Sequence, residues 1–154
     1  MNILALDPAT KTGFAHSCGI SGTWDLSIRR DESKGMRLIR LRGKLNELLK
    51  GTKIDLIVFE SARNAGPGMQ GALIVQSEIQ SVIKVWCEDN EIEYRGYSPK
   101  EIKKHASGNG NASKAKMLEA AKGHWHEDWL EGKDDNEIDA LWLLDLAERD
   151  YENA

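Results

Sequence analysis

An unbroken apolar run, Ile3 to Leu6, opens the chain and stops at a carboxylate, Asp7. A short continuous run of this kind is the pattern of a strand buried on both faces. The stretch TGFAHSCGISGTWDLSI then sets aromatic and small residues on either side of Gly19, Ser21 and Gly22, which predicts a hairpin and gives three strands in a row. KGMRLIRLRGKLNELLKG places Leu38, Leu41, Leu45, Leu48 and Leu49 at helical spacing, with Arg and Lys on the other face and Gly51 at its end. KIDLIVFE repeats the opening device: a buried strand that ends in an acid, Glu60. After the glycine-dense loop SARNAGPGMQG, a long helix from about Ala72 to Glu88 carries Val75, Ile79, Val82, Ile83 and Trp86 as one stripe, with Gln76, Gln80 and Lys84 facing elsewhere.

EIEYRGY reads as a fifth strand, and SPKEIKKHA has the marks of a helix start: Ser98 as N-cap, Pro99 first and Glu101 third, a capping box. SGNGNAS is a turn, SKAKMLEAAKG a short helix, and DDNEIDALWLLDLAERDYE the last helix, with acids in the first turn where the macrodipole favours them. No repeat, low-complexity tract or linker interrupts the 154 residues, so residues 1–154 are read as a single domain. The elements predict an α/β protein: a mixed five-stranded sheet flanked by helices on both faces.

Composition agrees, with 40% hydrophobic and 30% charged residues, a balance that excludes disorder and membrane insertion. No apolar stretch approaches a bilayer span and no basic leader precedes the first strand, so a cytoplasmic location is expected. Cys18 and Cys87 lie far apart without metal-ligand spacing and are read as reduced core thiols. Net charge, −4, argues against a nucleic-acid partner until its distribution is considered. Residues 29–53 carry Arg29, Arg30, Lys34, Arg37, Arg40, Arg42, Lys44, Lys50 and Lys53 against Asp31, Glu32 and Glu47, and residues 95–122 repeat the bias. The acids concentrate after Gly123, so local phosphate contact remains open.

Ligands of mixed α/β sheets bind at the carboxyl edge of the strands, where Asp7 and Glu60 both fall. Asp135 and Asp139, four apart, share a face of the last helix, and Asn136 neighbours Asp139. If Ile138, Leu141, Trp142 and Leu146 drive that helix across the sheet near the first strand, these groups converge on Asp7 and Glu60. Clustered carboxylates with few histidines are hard oxygen ligands suited to Mg²⁺ or Mn²⁺, and two such ions would clamp a phosphodiester. Taken singly, each acid reads as well as a turn cap, a strand-end acid or a dipole partner. Their coincidence at three ends favours a metal site. HWHEDW at 124–129 matches no common zinc spacing, and Trp125 and Trp129 read as packing residues.

The motifs ILALDPATKTGFA, LIVFESAR, SPKEIKKHASGNGNASKAKM and DDNEIDALWLL resemble, in sequence and order, the RuvC-type Holliday-junction resolvases of the RNase H-like superfamily, particularly their shorter phage members. The most specific part is Lys103, Gly108, Gly110 and Lys114 followed by Asp139-Ala140-Leu141. The resemblance implies an RNase H-like fold, with Asp7, Glu60 and Asp139 on the family's metal-binding carboxylates. It puts Lys103 and Lys114 on lysines used near the scissile phosphate, with Lys104 a rival to Lys103. Cellular members usually carry Asp three residues before the final Asp. This chain has Asn136 there and Asp135 just before it; Asp135 is preferred as the fourth ligand, with Asn136 as the alternative.

What the resemblance implies for function is a crossover junction endodeoxyribonuclease with two Mg²⁺ (or Mn²⁺) per active site and no organic cofactor. It would act on branched DNA as a homodimer and leave 5′-phosphates. The helix at 72–88 is the candidate dimer element, and the glycines around Pro67 a candidate for close DNA approach. Other nuclease specificities on the same fold, for flaps, forks or RNA/DNA hybrids, stay open. The opening Asp-Thr-Lys-Gly motif also resembles the phosphate hairpin of the actin and sugar-kinase superfamily, but 154 residues leave no room for the second hairpin and adenosine site. A non-catalytic DNA-binding module is a third possibility, weakened by the three separate acids.

Overall fold

The computed structural model of the protein describes residues 1–62, 67–68 and 70–153. Five strands form one sheet in the order β3-β2-β1-β4-β5: β1 (Ile3–Asp7), β2 (Lys11–His16), β3 (Ser21–Asp25), β4 (Leu56–Glu60) and β5 (Glu93–Tyr97). The first three strands run antiparallel, as their short hairpin connections allow. β4 and β5 lie parallel to β1 because the helices α1 (Gly35–Gly51) and α2 (Gln70–Asp89) supply their crossovers. The register pairs Leu6 with Phe59, so β1 and β4 end side by side and bring Asp7 and Glu60 to the same edge. The mixed α/β sheet expected from the apolar runs is present.

Both faces of β1 and β4 are covered, which explains why these strands lack alternation. Leu4, Leu6, Ile57 and Phe59 face one layer, built from Leu41 and Leu45 of α1 and Ile79, Ile83 and Trp86 of α2. Ile3, Ala5, Leu56 and Val58 face the other, where α3 (Pro99–Ser107), α4 (Lys114–His124) and above all α6 (Asp135–Glu152) pack. α6 buries Ile138, Leu141, Trp142 and Leu146 together with Ala140, Leu143, Leu144 and Ala147. Burying six leucine-, isoleucine- or tryptophan-sized side chains removes roughly 1.5–3 kcal/mol of apolar exposure each, so this helix contributes much of the core.

Helix starts follow the chemistry read from the sequence. Ser98 and Glu101 form the capping box of α3 with Pro99 in its first turn, Ser113 caps α4, and Asp134 caps α6 through the backbone N–H of Glu137. Two differences stand out. A four-residue helix, α5 (Glu127–Leu130), falls within HWHEDW and escapes pattern reading because one turn is too short to show a period. Cys18 is exposed on the β2–β3 turn and only Cys87 is a core thiol. No helix among the described residues is long and apolar enough to cross a membrane. The proposed glycine approach around Pro67 falls largely on residues 63–66 and 69, outside the described residues.

Candidate metal and phosphodiester site

Asp7 reaches the sheet edge because β1 stops there: Pro8 follows, and the turn to β2 is tied by Thr12, whose hydroxyl donates to Ala9 O (2.7 Å) and accepts from the Ala9 N–H (3.3 Å). Thr12 is fully buried there, so its hydroxyl holds the turn and does not face a ligand. Opposite Asp7 in the ladder stands Gly13. A Cβ at Gly13 would overlap the backbone carbonyl of Asn136, so the first turn of α6 rests directly on the β2 backbone. Two side-chain bonds hold it there: Ser21 Oγ donates to Glu137 Oε2 (2.6 Å) and Thr23 Oγ1 to Asp134 Oδ1 (2.7 Å). This close seat carries Asp139, one turn into the helix, over the end of β1.

Asp7, Glu60 and Asp139 line one side of a cleft of about 620 Å³. Lys103 of α3 and Lys114, the first residue of α4, line the same cleft close enough for their charges to reach Glu60 and Asp139, and Ser61, Gln76 and Ser113 complete its polar lining. Each acid holds its proton more tightly than usual. Burial is the largest cause for Asp7, followed by the charges of Glu60 and Asp139, and its pKa lies well above the ordinary value. Glu60 is raised by burial and partly relieved by its hydrogen bond with Asp7 and by the charge of Lys103. Burial and the charge of Glu60 push Asp139 up to about 7, against the pull of Lys114 and Lys103. Three acids that resist ionising together are short of positive charge.

That deficit tests whether a metal fits. Among the described residues no group of three or more His, Cys, Asp or Glu side chains is gathered closely enough to hold a metal ion as it stands. The chemistry of the donor set nonetheless suits a hard divalent cation: carboxylate oxygens from three elements line one cleft, and Lys103 and Lys114 offset their mutual repulsion only in part. Asp7, Glu60 and Asp139 are the residues that would hold it.

The remaining sequence candidates divide. Lys103 lines the cleft and Lys104 is exposed away from it. Asp135 stands outside the cleft, its carboxylate 3.9 Å from Lys114 Nζ and open to solvent, although its charge still reaches Asp139. Asn136 is absent from the lining and its backbone carbonyl faces Gly13. Gln76 enters the lining from α2, where the apolar stripe assigned it no role; only the three-dimensional course of α2 past β4 reveals it. Gln80, one turn on, accepts the Ala62 N–H (3.1 Å) and steadies the chain just after Glu60.

With the geometry described, comparison with solved structures becomes informative. A structure of T. thermophilus RuvC in complex with Holliday junction substrate superposes with a TM-score of 0.74 at 16% identity, covering 99% of this chain and 94% of the other. The fold is that of RuvC. A second structure, Thermus thermophilus RuvC, gives a TM-score of 0.67 at 15% identity over 97% of this chain and 96% of that one. The yeast mitochondrial Holliday junction resolvase Ydc2 gives 0.63 at 15% identity, over 98% and 81%. No protein-family model matches the sequence, and no curated protein matches it either. The likeness thus lies in the fold.

Proposed function

We propose that the protein is a metal-dependent, structure-selective DNA endonuclease that resolves four-way junctions. The observation that carries this reading is the shared cleft, three carboxylates with raised proton affinity gathered with two lysines, on a fold shared with RuvC and Ydc2. Asp7, Glu60 and Asp139 would hold Mg²⁺ or Mn²⁺, two ions per site, which would supply charge neutralisation at the phosphodiester and a more nucleophilic water. Lys103 and Lys114 bind the non-bridging phosphate oxygens and fix the scissile bond against the acids. The buried apolar walls, including Ile102, Met117 and Leu143, limit bulk water so that these charges act at short range. Asp135 acts indirectly as the counterion that keeps Lys114 at the mouth of the cleft.

Paired cuts across a four-way junction require two sites, hence a homodimer. Ile74 and Val85 support it: both are exposed on α2, and eleven residues apart they return to the same helix face. Products carry 5′-phosphates. Cleavage of a synthetic four-way junction, compared with linear duplex, flap and RNA/DNA hybrid in Mg²⁺, Mn²⁺ or chelator, tests the proposal. Junction nicking that requires the metal is expected. Equal cutting of linear duplex would remove junction selectivity, and cutting in chelator would remove the metal.

A further inference from the structure

The three helices α3, α4 and α6 meet in a second polar cluster away from the carboxylates. His105 of α3 and His124, the last residue of α4, both reach Asp145 of α6: His105 Nε2 lies 2.6 Å from Oδ2, and His124 Nε2 lies 3.2 Å from Oδ1. Arg149, one turn further along α6, brings Nη1 to 3.0 Å from His105 Nδ1. A guanidinium offers only donors. His105 Nδ1 therefore accepts, its proton sits on Nε2, and that N–H donates to Asp145. Both imidazoles lie against Trp142, with ring centroids 5.9 Å and 5.0 Å away, and Trp142 is buried.

We propose that Asp145, His105 and His124 form a positioning clasp that fixes α3 and α4 on α6 and so holds Lys103 and Lys114 opposite Glu60 and Asp139. The clasp's part in cleavage rests on the nuclease reading above. Fully buried apolar anchorage of the two helices is limited to Ile102 of α3 and Met117 and Ala121 of α4, with Ala112 buried in the link and Ala106, Leu118 and Ala120 partly buried beside them. The link between them is closed on itself, with Gly108 in the left-handed region (φ 80°) and the Asn111 N–H donating to Asn109 Oδ1 (2.9 Å). What sets the two helices relative to the carboxylates is thus their attachment to α6. Each lysine rides on a helix that one imidazole pins: Lys103 two residues before His105, and Lys114 at the opposite end of α4 from His124. Because Asp145 uses one oxygen for each imidazole, a single carboxylate couples both helices.

Two measurements on the full-length chain test this, one of them without DNA. Asp145→Ala removes both acceptors. His105→Gln keeps an N–H for Asp145 and an acceptor for Arg149, whereas His105→Leu keeps neither. Hydrogen exchange followed by mass spectrometry should speed up about tenfold or more across residues 100–122 in Asp145→Ala and His105→Leu, with β1 and β4 unchanged. Under single turnover those two variants should cleave a junction about 10- to 100-fold more slowly, the cost of a lysine displaced by about 1 Å, with junction affinity within about threefold of the parent. His105→Gln should stay within about threefold of the parent in every measurement, a rescue that mere space-filling would not give. Unchanged exchange in both disrupted variants overturns the clasp, as does His105→Gln behaving like His105→Leu, or a loss confined to junction affinity. A parent protein that leaves the junction uncut overturns the nuclease reading, while the exchange measurement still reports whether the clasp holds the helices.

Discussion

Replacing Asp139 with asparagine removes one of three crowded charges while keeping the shape of the side chain, and its effect on stability follows from the site. Burial and the Glu60 charge raise the Asp139 pKa from 3.8 to about 7. Each tenfold change in proton affinity is worth about 1.4 kcal/mol, so ionised Asp139 costs the folded, metal-free protein at most about 4 kcal/mol at pH 8. Relaxation of neighbours and partial solvent access reduce this to roughly 1–3 kcal/mol. For a chain of this size that is a rise in melting temperature of about 3–10 °C. The sign in pH is fixed: the folded state binds this proton more tightly than the unfolded chain, so parent stability falls as pH rises from 3.8 to about 7. Asp139→Asn should therefore melt higher than the parent in chelator at pH 8, and the advantage should nearly vanish at pH 4. With Mg²⁺ the parent should recover the difference, and the variant should cleave nothing. Calorimetric melts at both pH values decide the matter. A variant that melts at or below the parent in chelator at pH 8, or keeps its advantage at pH 4, refutes the electrostatic account.

Gly13→Ala should cost at least about 2 kcal/mol in urea unfolding and lower cleavage by about 100-fold, because α6 must lift off β2 and carry Asp139 with it. Asp135→Asn should reduce the cleavage rate by no more than about tenfold, against losses above about 100-fold for Asp7→Asn or Glu60→Gln in the same assay; equal losses would return Asp135 to the ligand set. Ile74→Glu with Val85→Glu should convert a dimer to a monomer in sedimentation experiments while leaving the melting temperature within about 3 °C, since both side chains are exposed. A persistent dimer would exclude α2 as the interface.

The two acids at the strand ends were legible in sequence because a buried strand has no polar residue to spare, and a carboxylate closing one is conspicuous. The packing of α6 near β1 was legible through its apolar residues, whereas its close seat on β2 was not. Which lysine faces the cleft was not: Lys103 and Lys104 are adjacent, and only the phase fixed by Ile102 turning into the core separates them. HWHEDW, which matches no zinc spacing in sequence, divides its two histidines between different partners in space. α4 ends at His124, α5 begins at Glu127, and the turn between sends His124 to Asp145 and lets His126 cap α5, while Trp125 packs 4.5 Å from Trp142. Asp135 shares a helix face with Asp139 as its spacing requires, yet one turn nearer the helix start lies beyond the edge of β1, where solvent and Lys114 claim it. Gly13 left no trace at all, since its requirement comes from a backbone more than a hundred residues away.

That dependence on the last helix also governs when the site comes into being during synthesis. Asp7 and Glu60 emerge early and their strands can pair, but Asp139 follows only with α6, which also supplies a large share of one core layer. Domains of this kind fold as units once their long-range partners are present. A ribosome-bound chain still lacking α6 therefore holds two of the three acids on a sheet whose second face lacks its main cover, and the complete set of acids arrives together with the finished fold.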